Sequence, residues 1–592
     1  MNKLFLLTAF LFSLFCVSQN EPLAQYYYEK GDFEKAKVGY EELLKSSPQN
    51  LQYFLRTVDC YQQLQQYEVA DKVIQTRYTK YKQAFLLIEM GYNWQLQKND
   101  AKATTFYEQG LESIRKKPNE VYGIANAFEK KVLLEYAVKA YQIATEIDPT
   151  FNFNYQMALL YGQLGKIDLM ITTFLDEAFI NPQNTNLIQV QLSRFMNDEA
   201  EVSFTNALKK ALILRTQKNQ DVFWNQFLSW FYVQQKEFGK AFIQEKAIFK
   251  RQPESLNEIV NLGQTAIEEN ETEAATEILE FVLENTVDLD LQIKANTYLI
   301  EMKIAKAKPA DFPAIEAQLN VLLQKFEISP LTLKLQLIQA HFIAFSLKKP
   351  EEAKAIINKL LALPLNDFQM ADAKMELADI FLFEEKYNQA LLYYSQIELD
   401  LKNDVMAHEA SLKAAKTSYF KTDFDWALKQ FKELKSANTQ LIANDALEYF
   451  LLINDNTVAD STRTALTQFA KGDYLMYQKR HDEAITHFQK MLQQFKGQEI
   501  EAITLLRLGK LYEISGNYAQ ALTQYQSIID QQEKGIYIDE ALFFAAEIYA
   551  KNRNEPEKAK PLYEKIIFNH QDSIYFVEAR KKFRQLRGDT NL

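Results

Sequence analysis

Small residues recur along this chain at intervals close to thirty-four, and that spacing restricts its possible folds more than any other feature. Ala36, Ala70, Ala103 and Ala137 follow one another at intervals of 34, 33 and 34 residues. The stretch from Ala502 to Gly535 shows one unit clearly. Leu505, Leu508, Gly509 and Tyr512, spaced by three and four, line one face of a first helix, and Ala521, Tyr525 and Ile528 do the same for a second. Gly516 and Asn517 supply the turn between them. With each unit numbered from place 1, the small residues fall at places 8 and 20, where the two helices cross too closely for a larger side chain. Aromatic residues at places 11, 17 and 24 fill the space around the crossing.

On these residues the chain resembles the tetratricopeptide-repeat family over most of its length. The resemblance implies an all-α, right-handed α-solenoid of stacked helix-turn-helix repeats, because one such unit cannot bury its own apolar face. Composition agrees: 15 glycines and 13 prolines in 592 residues fall below the usual ~7% and ~5%, leaving little material for strand turns.

Residues 1–18 read as a secretory signal peptide. Lys3 precedes the apolar run Leu4 to Val17, which is too short to span a bilayer, and a cut before Gln19 would leave small residues at the positions it needs. Lipid attachment at Cys16 is the rival reading, opposed by the bulky Phe15 before it. The rest divides into an N-terminal repeat array at 19–184, a degenerate hairpin with further units at 185–302, and a linker with an irregular helix at 303–330. A second array at 331–453, an exposed loop at 454–464 and a C-terminal array with a capping helix at 465–592 complete it. The linker is marked by KIAKAKPADFP, from Lys303 to Pro313, and the loop by NDNTVADST, from Asn454 to Thr462.

Catalytic and cofactor chemistry lacks a constellation. The five histidines are scattered, with His341 at place 8 of its unit expected to pack inside, and His481 and His487 six apart, off a common helical face. Phosphate-binding loops, zinc-protease motifs and nucleophile elbows are absent from the sequence. Adjacent carboxylates such as Glu351 and Glu352 diverge by about 100° around a helix. Cys60 is expected to be a small buried hydrophobe. A net charge of −11 argues against nucleic acid as partner, and after Val17 no apolar run is long enough for a transmembrane segment. The expectation is a chain that is not an enzyme and takes no cofactor or metal.

In the family resembled, the inner wall of the solenoid is formed mainly by places 2, 5, 6, 9, 12 and 13 of the first helix. In the unit starting at Val222 these are Phe223, Gln226, Phe227, Trp230, Val233 and Gln234. Aromatic area beside amide groups suits a peptide or partner helix, since rings supply burial and amides satisfy backbone polar groups. Two outcomes stay open for these rings, the groove or packing against the irregular segment from Thr185 to Asp221. Asn119, Tyr122 and Asn126, with Glu129, hold the same places in an earlier unit. The clamp by which some relatives hold a chaperone's C-terminal carboxylate is missing, because place 6 of the first three units is Pro22, Arg56 and Glu89. The resemblance implies a protein-binding scaffold of the exported, periplasmic type found in Gram-negative bacteria. A surface glycan-binding protein is the alternative.

Overall fold

The computed structural model describes residues 21–197, 202–253, 256–436, 440–458, 462–531 and 535–588; the segment read as a signal peptide, Cys16 and the expected cut at Ser18/Gln19 lie outside them. Among the described residues the chain is all-α, a succession of helices with no strand. It forms two compact units: the first holds residues 21–197 and 202–215, the second residues 216–588 apart from the stretches not described. Each is an α-solenoid in which neighbouring antiparallel helices pack pairwise.

The periodic small residues are buried where the helices cross. Ala24, Ala36, Ala70, Ala103, Ala125, Ala137, Ala241, Ala275, Ala378, Ala390, Ala415, Ala427, Ala484 and Ala521 are all inside. The glycines at place 8 explain why. A Cβ on Gly509 would stand 2.4 Å from Tyr525 Cε1, one on Gly91 2.4 Å from Tyr107 Cε1, and one on Gly472 2.4 Å from Phe488 Cε1. In each case the obstacle is the place 24 aromatic of the same unit, and those rings are buried. The place 24 tyrosine also has a polar end to satisfy. Its hydroxyl reaches back to the first helix, from Tyr107 to Gln95 Oε1 at 2.6 Å, from Tyr141 to Glu129 Oε1 at 2.8 Å, and from Tyr525 to Glu513.

Three departures from the pattern have local causes. Met170 replaces the alanine at place 20, and the sequence predicts a slightly opened helix pair there. The methionine is fully buried, and the Cβ position of Gly162 lies 2.7 Å from its Sδ, so the missing side chain at Gly162 makes its room. His341 does not pack inside as its place predicts; it is half-exposed, 3.0 Å from Glu376 Oε1 through Nδ1 and stacked on Phe345. The reason is a π turn at Phe342–Ser346, which inserts one residue and puts Ala340, thirteen residues before Ala353 instead of twelve, at the crossing. A second π turn, Ile548–Asn552, does the same for Ala546 and Ala559.

The hairpin turns share a left-handed residue at place 15. Gly31, Gly165 and Gly516 occupy it with φ of 76°, 68° and 71°, but so do Gln65, Lys98, Val132, Lys236, Asn270, Glu385, Thr422 and Lys479, with φ between 55° and 64° for all but Thr422 at 68°. A side chain there is strained, most of all the β-branched Val132.

The breaks expected in the array are narrower than predicted. Leu289–Lys306 is helical through Lys303, a single turn at Pro309–Asp311 follows, and Phe312–Phe326 is a regular helix. Asn454 to Val458, expected in an exposed loop, continue the helix Gln440–Val458. That helix buries Ile442, Ala446, Leu452 and Ile453 in the core, and the apolar residues that carry it lie before the polar stretch that suggested a loop. The segment expected to hold a degenerate hairpin contains the helices Thr185–Asn197 and Val202–Lys218.

Candidate functional site

In Val222–Gln234 the expected groove residues separate. Gln226 and Gln234 are exposed and Phe223 and Trp230 half-buried, but Phe227 is 1% exposed and does not face a groove. Its ring is packed edge-on against Trp230 at 5.3 Å and tilted on Phe223 at 5.9 Å. The helix also buries Trp224, Leu228, Phe231 and Tyr232, so it is apolar around most of its circumference, and such a helix is covered on more than one side. In the earlier unit, Asn119, Tyr122 and Asn126 are all exposed, and Tyr122 meets Phe151 and Phe153 edge-on at 6.0 and 5.6 Å. Glu129 on the same wall is taken up by Tyr141.

Inner-wall places carry a second pattern that the sequence reading missed. A carboxylate at place 9 pairs with a cation at place 6 of the next unit, thirty-four residues on. Lys413 Nζ lies 2.7 Å from Asp379 Oδ2, and Arg507 Nε lies 3.3 Å from Asp473 Oδ1. Each carboxylate also accepts from a buried tyrosine, Asp379 from Tyr394 and Asp473 from Tyr419. Arg507 reaches Glu448 as well, at 2.6 Å. Burial pushes the Asp473 carboxyl up, while the neighbouring Arg507 guanidinium works the other way. The signal was available, since opposite charges at places 9 and 6 recur one repeat apart, but it reads as solvated charge until the wall is known to be covered.

Part of that wall in the second unit is covered by the chain itself. The helix Thr464–Tyr477 lies against the end of the first helix of the unit holding Asp379. Tyr474 donates to the Leu382 carbonyl at 2.7 Å, Gln478 Nε2 to Phe383 O at 3.0 Å, and Tyr477 to Asp379 O at 3.3 Å. These contacts fall on places 9, 12 and 13, so inner-wall surface is consumed there.

The first unit keeps an open inner wall. Helices Leu51–Gln63 and Leu86–Leu96 and the turn after Val121–Lys130 bound a concavity of about 790 Å³. Its lining includes Gln52, Leu55, Arg56, Asp59, Gln62 and Gln63, the six inner-wall places of one unit, together with Tyr28, Glu89, Tyr92 and Lys131. Lys131 Nζ lies 3.0 Å from Asp59 Oδ1 and 3.1 Å from Glu89 Oε2, with the Tyr92 ring 4.7 Å away. Burial works against the ammonium, but Glu89 and Asp59 more than offset it and raise the Lys131 pKa. Burial raises the Glu89 carboxyl despite Lys131. The Arg56 guanidinium stacks over the Tyr28 ring at 4.1 Å. Arg56 and Glu89 entered the sequence reading only as evidence against a known clamp; their role as concavity lining emerges from geometry.

Other chemistry finds little footing. Among the described residues no group of three or more His, Cys, Asp or Glu is placed to hold a metal ion, and no helix is long and apolar enough to cross a membrane. Cys60 is fully buried, and burial pushes its thiol up to about 12, which makes it a poor nucleophile.

The geometry defines a helical-repeat protein with inner-wall surfaces, and sequence comparison identifies the repeats. The tetratricopeptide repeat is matched at residues 463–534 and at residues 23–50. No curated protein matches the chain. Solved structures similar to it include yeast Tom70, at 15% identity, covering 82% of this chain and 100% of that one with a TM-score of 0.30. The Cut9–Hcn1 hetero-tetramer of the APC/C matches at 12% identity over 96% of each chain, with a TM-score of 0.22. Naa15/Naa10 bound to HypK matches at 12% identity over 97% of this chain and 94% of that one, with a TM-score of 0.26. At these scores the likenesses carry no argument about partners.

Proposed function

We propose that the chain is a non-catalytic scaffold of the cell envelope that holds partner proteins or peptide segments against the inner walls of its tetratricopeptide arrays. The observation that carries this reading is the open concavity of the first unit, built from all six inner-wall places of one repeat and lined by rings, amides and charges. Surface of that mixture serves partner recognition better than catalysis, because it offers complementarity along a groove and no converging reactive groups. The apolar run after Lys3 supports export, and the periplasm is the setting proposed. A glycan reading has one observation in its favour: exposed Tyr122 lies beside exposed Asn119 and Asn126, a ring with amides that could stack and bind a sugar.

The test uses the mature full chain as bait on detergent-solubilised envelopes, with and without Tyr122→Ala plus Asn126→Ala. Both side chains are exposed, so the variant should keep its helicity. Stoichiometric capture of a protein that the variant loses supports the scaffold. An unchanged protein set with lost oligosaccharide retention favours the glycan reading, and no saturable partner of either kind sinks both.

A further inference from the structure

The concavity of the first unit carries cations that no carboxylate among the described residues pairs with. Gln62 is only 4% exposed, borders the concavity, and its Nε2 has no hydrogen-bond partner among the described residues. That nitrogen is itself covered by the protein, so a ligand meets the polar surface of the concavity through Arg56 instead. Arg56, which lines the same concavity, touches the Tyr28 ring and forms no ion pair among the described residues. Lys130 at the rim forms none either. The two carboxylates present, Asp59 and Glu89, share the one ammonium of Lys131, and Asp59 also accepts from the Tyr28 hydroxyl. Three cations, Arg56, Lys130 and Lys131, therefore stand against two carboxylates, a local surplus of one positive charge in a chain of net charge −11.

We propose that this concavity anchors an acidic side chain of an extended partner segment, with the Arg56 guanidinium donating to its carboxylate and Lys130 at the rim adding charge. The proposal rests on the scaffold reading and names the chemistry of the partner. An internal side chain fits better than a chain terminus, because the concavity runs from Tyr28 in the first repeat to Lys131 in the fourth and lets a segment pass along it. Tyr28, held under Arg56, offers its ring to the methylene groups of a glutamate.

The probe is a fluorescein-labelled hexaglutamate with an amidated C-terminus, titrated with the full chain at low salt and read by anisotropy. Hexaglutamine and a free-terminus peptide without acidic side chains are the comparisons. Hexaglutamate amide should bind saturably and hexaglutamine should not. A charge-assisted hydrogen bond is worth enough that Arg56→Gln should weaken binding about tenfold or more. Lys130→Gln should weaken it severalfold, and Lys116→Gln, an exposed lysine away from the concavity, should leave it unchanged. Arg56 is half-exposed and Lys130 exposed, so both variants should keep the fold. The proposal is overturned if hexaglutamate amide does not saturate, if Arg56→Gln binds as tightly as the parent, or if only the free-terminus peptide binds. Envelope partners captured equally well by Arg56→Gln would leave the scaffold reading standing while removing this anchor.

Discussion

Gly509→Ala tests the reason for the repeat spacing at a single atom. The added Cβ would lie 2.4 Å from Tyr525 Cε1, 2.8 Å from Cζ and 3.0 Å from Cδ1, all inside ordinary contact. The ring cannot swing away cheaply, since it is fully buried and its hydroxyl is tied to Glu513. Overpacking of this kind costs about 1–3 kcal/mol, against a gain of roughly 0.5–1 kcal/mol from replacing glycine in a helix. The net is a loss of about 1–2 kcal/mol, or roughly a five- to thirtyfold increase in local opening. Native-state hydrogen exchange of amides in Ile500–Ile514 reads that opening directly. Gly239→Ala is the matched control, because nothing lies within 4 Å of its Cβ position and the same helix gain should appear undiminished. In a Tyr525→Leu background the penalty of Gly509→Ala should largely vanish. Equal effects at Gly509 and Gly239, or the same Gly509 penalty in both backgrounds, would refute the crossing argument.

Two further outcomes follow from the walls and turns. Arg507→Met strands Asp473, which is buried with only Tyr419 left to satisfy it, and should cost about 3–5 kcal/mol of stability in denaturant unfolding; adding Asp473→Asn should recover part of that loss. Val132→Gly should stabilise the first unit by about 1 kcal/mol, since φ there is 57° and the valine side chain is largely solvent-exposed; thermal unfolding that shows no gain would remove the strain argument.

The all-α class and the crossing residues were legible because a buried crossing leaves a strict demand for small side chains, visible at Ala36, Ala137 and Ala521 without coordinates. The inner wall was less so. Periodicity shows which residues share a face but not whether that face is covered, and Phe227 sits on a helix whose other faces are also apolar. His341 was misplaced because a π turn shifts register by one residue without any glycine or proline to announce it. The concavity around Arg56 and Gln62 was hidden for a different reason: its residues are ordinary polar types, and only their convergence from four repeats makes them a site.

The ion pairs that join place 9 of one unit to place 6 of the next bear on how such an array can change over time. A module moved to another slot would bring its own charge to a neighbour keyed for a different one, as Asp379 is keyed to Lys413 and Asp473 to Arg507. The hairpins that hold Asp379 and Asp473 are therefore not interchangeable bricks; each carries half of an address whose other half is written on the module that follows.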